Sequence, residues 1–418
     1  MLVLLSGDCA LGERRRDNNG RVAVRQPRPR VAVVGGGVTG CATAFFLARR
    51  GAQVTLVERF DLNTLASGRN AGGLHGQIQH EPFLELGEQW AREFGPALEL
   101  MRDSIRLWQQ LERDLGTSFE VDVCGGLIVA ADDTQLGALD RKAAIDRAFG
   151  VEVELLDRPS LQRVAPYVAR RMAGALLCRL EGKANPLLAA PAFAKAAREH
   201  GARLLLRTEV VGVERTSDGW RVSTTRGTLD CDRIVDAAGA EAGRLAELVG
   251  VPLRVEGQPI QAAVTEPVPP LVRHLLYFAG GRLTLKQARI GSLLIGGGWP
   301  AAVEPGTGRV GVALEALGEN VRQAVEVVPG CAGASLLRAW TGVCPALPDH
   351  RPILGEVTEG LLVGMFPFLG FTCGPIVARI LAALVLGEEP GYDLRPFDPL
   401  RLVPSSRRRG RASPRVAA

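Results

Sequence analysis

Paired cysteines, long apolar runs and internal repeats are all missing from this chain of 418 residues. Its eight cysteines, at 9, 41, 124, 178, 231, 331, 344 and 373, include no C-x-x-C pair. That excludes a disulfide framework and a zinc or iron–sulfur ligand set, so no metal is expected, and it suits a reducing cytosol. No stretch approaches the roughly 18 apolar residues of a membrane span. The run IVARILAALVL at 376–386 is too short and contains Arg379. The opening MLVLLSGDCALGERRR has a five-residue apolar run with no basic residue before it, a poor secretory signal. The expectation is a cytoplasmic protein without a transmembrane segment, any membrane contact being peripheral.

A charge surplus in the body is missing too. The formal net charge is +5, but residues 1–30 hold seven Arg against Asp8, Glu13 and Asp17, and residues 401–418 hold six Arg and no acid. The body between them carries 37 basic and 42 acidic residues. A nucleic-acid surface would be confined to the tails, and none is expected. Residues 1–29 read as a basic leader and 401–418, with Arg407, Arg408, Arg409 and Arg411, as a solvated basic tail, both disordered.

What is present begins at Arg30. The length favours two domains. Residues 30–58 read RVAVVGGGVTGCATAFFLARRGAQVTLVE. Val31–Val34 is apolar and β-branched, as in a strand buried on both faces. Gly35, Gly37 and Gly40 follow at G-x-G-x-x-G spacing: one for a tight turn, one for approach to a pyrophosphate, one for close helix packing. Val38 and Thr39 open the helix, whose N-terminus offers free N–H groups to phosphates. A second strand, Gln53–Val57, ends in Glu58, placed for a ribose hydroxyl, with Arg59 beside it. Strand, turn, helix, strand and acid together read as a dinucleotide fold, without separating FAD from NAD.

The loop LASGRNAGGLHGQIQ at 65–79 comes next, long enough to be functional. Here the sequence resembles the D-amino-acid oxidase superfamily of FAD enzymes. Its members carry a Ser-Gly-x-x-Asn/Ser-x-Gly-Gly loop under the pyrophosphate and flavin. Ser67, Gly68, Asn70, Gly72 and Gly73 match by type, with Asn70 one position early. The resemblance extends to IVDAAG at Ile234–Gly239 followed by Glu241, and to Pro348-Asp349-His350-Arg351-Pro352-Ile353-Leu354-Gly355. It also covers Gly364–Gly387, which turns through Gly370-Phe371-Thr372 into a helix with Pro375 in its first turn. That helix N-terminus would face the flavin edge that gains negative charge on reduction. Residues 181–205 and 283–300 look like the FAD subunits of bacterial opine and hydroxyproline or proline dehydrogenases.

The resemblance implies an α/β (α+β overall) fold, a Rossmann-type FAD-binding domain with an inserted, mostly antiparallel substrate domain. The FAD domain would take 30–115, 166–253 and 336–400, and the substrate domain 116–165 and 254–335. Val211, Ala238, Gly239, Gly370, Phe371 and Thr372 join the expected FAD contacts. The implied reaction removes hydride from a substrate C–N bond to flavin N5, with an amino or imino acid as substrate. A 2-hydroxyacid or glycerol-phosphate-type dehydrogenase and a non-catalytic flavin subunit are the alternatives. A partner subunit or separate electron acceptor is implied.

The sequence departs from the family at the substrate carboxylate. Where many members have Gly-Leu/Ile-Arg-Pro, this chain reads Gly342-Val343-Cys344-Pro345, so that Arg is missing. Thr372 replaces a Lys that some sarcosine oxidases carry. Lys286, Arg338, Arg282 and Arg351 are the substitute cations weighed. His75, in the loop beside the flavin, is either a structural imidazole or a flavin-edge or substrate contact. His350 is a weaker candidate for the flavin edge. Trp340 and Phe371 read as core, and Cys344 as a buried thiol.

Overall fold

The computed structural model describes residues 28–403. The expected leader up to residue 27 and tail from residue 404 lie outside the described residues. Arg401 belongs to the body instead: its guanidinium clamps both oxygens of Asp349, at 2.8 and 3.1 Å.

Val31 and Val33 are buried, as their unbroken apolar run requires, and the strand Arg30–Val34 is central. It pairs in parallel with Gln53–Val57 and with Arg233–Asp236. Arg203–Leu205 extends the sheet at one edge; Leu361–Met365 and then Ile353–Thr358 extend it at the other. All pairings are parallel except the last hairpin. Helix Val38–Arg49 leaves the first strand and packs against Pro186–Glu199 and Gly370–Val385. Phe45, Trp108, Phe119 and Phe193 meet there with centroids 5.5–6.2 Å apart. Each such ring contributes about 1.5–3 kcal/mol by burial.

The second sheet runs Leu336–Ala346, Glu256–Pro267, Ser292–Gly296, Thr284–Gln287, Leu275–Phe278, Gly126–Ala130, Gly174–Cys178, Val153–Asp157. Only the pairing of Leu275–Phe278 with Gly126–Ala130 is parallel. Two strands expected in the nucleotide domain, Gly174–Cys178 and Leu336–Ala346, are hydrogen-bonded here instead. An apolar run such as GALLC looks the same in either sheet, so periodicity does not assign it. Glu256–Pro267 is one strand despite Pro259 and Pro267.

After the loop come the helical segments His80–Phe94, kinked at Gly87 where φ is 81°, and Pro96–Leu115, which Pro96 opens. Near the C-terminus the turn falls earlier than expected. Phe366–Leu369 makes it, with Phe368 at φ 57°, and Gly370, Phe371 and Thr372 are already helical. Pro375 is therefore the sixth residue of that helix, past the first turn, where it cannot return an N–H to the Phe371 carbonyl.

Candidate functional site

The first strand, its helix and the loop after the second strand enclose a cleft. Gly35 sits at φ +112°, and a Cβ there would lie 2.4 Å from the Ala237 carbonyl oxygen. At Gly40 a Cβ would come within 1.9 Å of the Gly35 oxygen, so only glycine lets the helix approach the turn. The Glu58 carboxylate accepts the Gly36 N–H at 2.6 Å and the Phe60 N–H at 2.7 Å. Ser67 Oγ accepts the Val38 N–H at 3.0 Å, tying the loop to the helix N-terminus. Glu58, Arg59, Ala238, Gly239 and Val210 line the same cleft.

A second cavity, enclosing about 1600 Å³ with its solvent mouth, continues under the second sheet. Asn70, Gly72, Gly73, His75, Phe371 and Thr372 form its floor; Tyr277, Arg282 and Lys286 come from the sheet side. Asn70 caps the short helix Ala66–Arg69, donating to Ser67 O at 2.6 Å and accepting the Gly72 N–H at 2.7 Å. Arg282 is ion-paired with Glu81 at the mouth. Lys286 is 3% exposed and has no hydrogen bond or ion pair among the described residues. Burial, helped by the Lys183 charge, pushes its ammonium down to about 7. An isolated buried amine of this kind calls for an anion from outside.

A polar chain runs from the cavity lining, through His75, Tyr277, Glu181 and Gln77, to Lys142 and Asp146 in the core. His75 Nδ1 is 2.7 Å from the Tyr277 hydroxyl, which lies 3.2 Å from Glu181. Glu181 accepts the Gly76 N–H and the Gln77 amide, each at 2.8 Å. Gln77 accepts from Lys142 at 2.9 Å, and Lys142 pairs with Asp146 at 2.6 Å. Glu181, Lys142 and Asp146 are fully buried. Burial raises Glu181 to about 7 against the opposing bonds from Gly76 and Gln77. Burial, then the Lys286 charge, lowers His75 to about 3, so its ring is neutral.

Residues 30–384 match the family model described as FAD dependent oxidoreductase (DAO). The chain belongs to this family. Sarcosine oxidase subunit beta of Rhizobium meliloti (strain 1021) is 29% identical over 389 residues, covering 87% of this chain and 89% of that protein. Glycine oxidase of Geobacillus kaustophilus (strain HTA426) is 29% identical over 380 residues, covering 89% and 97%. The crystal structure of glycine oxidase from Geobacillus kaustophilus superposes with TM-score 0.78 at 28% identity, over 88% of this chain and 98% of that one. L-proline dehydrogenase from P. horikoshii, TM-score 0.79 at 24% identity, shares the fold over 90% and 97%.

The protein is thus an FAD-dependent oxidoreductase, and the glycine turn, helix N-terminus and acid of its cleft fit that cofactor. Not every expected residue lines it. Val38, Thr39, Gly40, Gly68 and Gly370 line neither cavity, and a Cβ on Gly68 would come within 1.9 Å of the Asn63 carbonyl oxygen. Val211 is 50% exposed, and its neighbour Val210 faces the cleft, because side chains alternate along the strand. Arg338 is exposed on the outer strand beside Val264, outside both cavities. Arg351 is held by Asp349 and by Glu93 at 3.1 Å. Trp340 donates to the Arg69 carbonyl at 2.7 Å, and Phe371 packs 4.9 Å from Trp108 while also lining the cavity. Cys344 is not fully buried but faces the cavity, its thiol raised by burial to about 12. His350 lines it as well, stacked on Phe368.

Sequence reasoning missed Tyr277, Glu181, Gln77 and Lys142. Tyr277 is one of only three tyrosines, and Glu181 follows a buried apolar strand, signals that single them out weakly. Lys142 and Asp146 read as an ordinary i,i+4 surface pair.

Among the described residues, no helix is long and apolar enough to cross a membrane. Relatives include proteins named as subunits, sarcosine oxidase subunit beta and, from Pseudomonas aeruginosa, hydrogen cyanide synthase subunit HcnC.

Proposed function

We propose that the enzyme dehydrogenates the C–N bond of an amino or imino acid, secondary amines included. The observation that carries this reading is Lys286: a buried, unpaired amine in the cavity beyond the nucleotide cleft. A substrate carboxylate is the partner it lacks, and it takes over from the Arg replaced by Cys344. Binding the carboxylate there fixes the α-carbon and amino group over the floor formed by Gly73, His75 and Thr372. FAD, when bound, supplies the two-electron acceptor. The relatives named for sarcosine and glycine support an amino-acid substrate. The likeness of residues 181–205 and 283–300 to opine and hydroxyproline dehydrogenase subunits favours a substituted or cyclic one. The subunit names among the relatives support a role as the flavin subunit of a complex, passing electrons to a partner.

Steady-state turnover of matched pairs, a secondary amino acid and the same amine without its carboxylate, tests the reading. The carboxylated member should be preferred by at least roughly ten-fold in kcat/KM, the worth of one charged hydrogen bond. Equal turnover of the two would remove Lys286 from the account.

A further inference from the structure

The two ring nitrogens of His75 have different surroundings. Nδ1 meets the Tyr277 hydroxyl. Nε2 has no hydrogen-bond partner among the described residues, sits over Gly73 and opens to the cavity. Which nitrogen carries the proton follows from the donors behind Tyr277. Lys142 can only donate, so its bond to Gln77 Oε1 turns the Gln77 amide nitrogen toward Glu181 Oε2. The Gly76 N–H, also only a donor, occupies Oε1. An ionised Glu181 therefore takes the Tyr277 proton as a further bond to Oε1. The Tyr277 oxygen must then accept, which puts the His75 proton on Nδ1 and leaves Nε2 a bare lone pair. A protonated Glu181 reverses the chain. Its O–H points at Tyr277, Tyr277 donates to Nδ1, and the ring proton sits on Nε2.

We propose that Glu181 and Tyr277 are positioning residues that set the His75 tautomer, and that the tautomer with a bare Nε2 is the one competent for amine oxidation. This rests on the amine reading above. Forming the C=N bond uses the nitrogen lone pair of the substrate as its C–H bond breaks. A bare Nε2 accepts a substrate N–H and leaves that lone pair free. An Nε2–H would donate to the lone pair and hold it back. No proton changes hands between His75 and substrate in this arrangement.

The ionisable groups around the chain are Lys286 beside His75, Lys142 and Asp146 behind Gln77, His80 on the cavity wall, and the thiols of Cys124 and Cys178. Burial keeps Cys124, Cys178 and Tyr277 protonated. Burial also lowers His80 to about 4, so it is neutral. Glu181 and Lys286 are the pair that titrate near neutrality.

The test reads His75 directly, by ¹⁵N-edited NMR of its ring nitrogens in the FAD-loaded protein without substrate, with His75→Asn for assignment. Wild type should pass from the Nε2–H to the Nδ1–H form as pH rises through about 7. Glu181→Gln, which cannot titrate, should hold a single tautomer throughout, and Tyr277→Phe should lose the pH response. One unchanging tautomer in wild type, or a normal switch in Tyr277→Phe, overturns the assignment. The second readout is the rate of anaerobic flavin reduction by a secondary amino acid. The ratio of wild type to Glu181→Gln should grow roughly ten-fold from below to above the Glu181 midpoint, the effect of one hydrogen bond. That ratio cancels the titrations of substrate and Lys286, and a constant ratio overturns the role in turnover. If no amine reduces the flavin, the substrate reading falls together with that role, while the NMR result still decides the tautomer.

Discussion

The Thr372 hydroxyl accepts the backbone N–H of His75 at 3.0 Å, and donates to the Gly73 carbonyl at 3.1 Å. Its own carbonyl accepts Ser104 Oγ at 2.6 Å and Trp108 Nε1 at 2.9 Å. One fully buried residue thus fastens the cavity floor to the last helix and that helix to Pro96–Leu115. Thr372→Val keeps the shape and removes the hydroxyl, leaving a buried N–H and carbonyl unpaired. It should destabilise the protein by about 1–3 kcal/mol, whereas Thr372→Ser should stay close to wild type. Thermal unfolding of the two variants side by side distinguishes a hydrogen-bond role from simple packing.

Gly40 decides whether the cleft exists. Gly40→Ala would drive a Cβ into the Gly35 oxygen, backbone against backbone, with no flexible side chain to yield. The variant should purify with little or no FAD, read as the ratio of flavin to protein absorbance. Full flavin content would mean that the helix does not approach the turn as closely as described.

Lys286 gives substrate binding a pH dependence with a definite sign. Its ammonium is lowered to about 7, so the empty cavity loses its positive charge as pH rises past that value. A carboxylate holds the protonated form, so affinity is highest below about 7 and falls as pH rises above it, with proton uptake on binding. Lys286→Met should abolish this dependence and weaken binding about ten- to a hundred-fold, the range of a charged hydrogen bond. Titration of a non-reactive carboxylate analogue at several pH values measures both.

Asp236 predicts the pH dependence of stability. It is fully buried, Oδ1 accepts the Ala238 N–H at 3.0 Å, and Oδ2 has no partner. Burial raises it to about 7. The folded state therefore keeps a proton that the unfolded chain releases at ordinary carboxylate pH. Its contribution is full in acid and declines as pH rises toward about 7, by a few kcal/mol at most. The melting temperature of Asp236→Asn relative to wild type should climb over that interval and then level. The opposite slope would mean that Asp236 is charged in the fold.

Much of the cofactor half was legible in the sequence because its constraints are local. Gly35, Gly40 and Glu58 act within one strand–turn–helix–strand unit, and spacing alone places them. The cavity half was not, because it is assembled from distant segments. Lys286 could be named as one cation among four, but only the fold separates it from Arg338 on the outer strand and from Arg351 and Arg282 in ion pairs. The chain from His75 to Asp146 joins four segments, and its Lys142–Asp146 step has the spacing of a solvent-exposed helix pair. The strand Gly174–Cys178, within a range expected in the FAD domain, pairs in the second sheet for a related reason: an apolar run records burial, and its hydrogen-bonding partner is set elsewhere.

Whether FAD here takes electrons from an amino-acid C–N bond shows in the visible spectrum of the purified protein under anaerobic conditions. Secondary amino acids, imino acids and 2-hydroxy acids are added in turn. The protein should be yellow, its flavin absorbance bleaching with one of the amino or imino acids and with no hydroxy acid. Bleaching by a 2-hydroxy acid alone, with every amine inert, would contradict it.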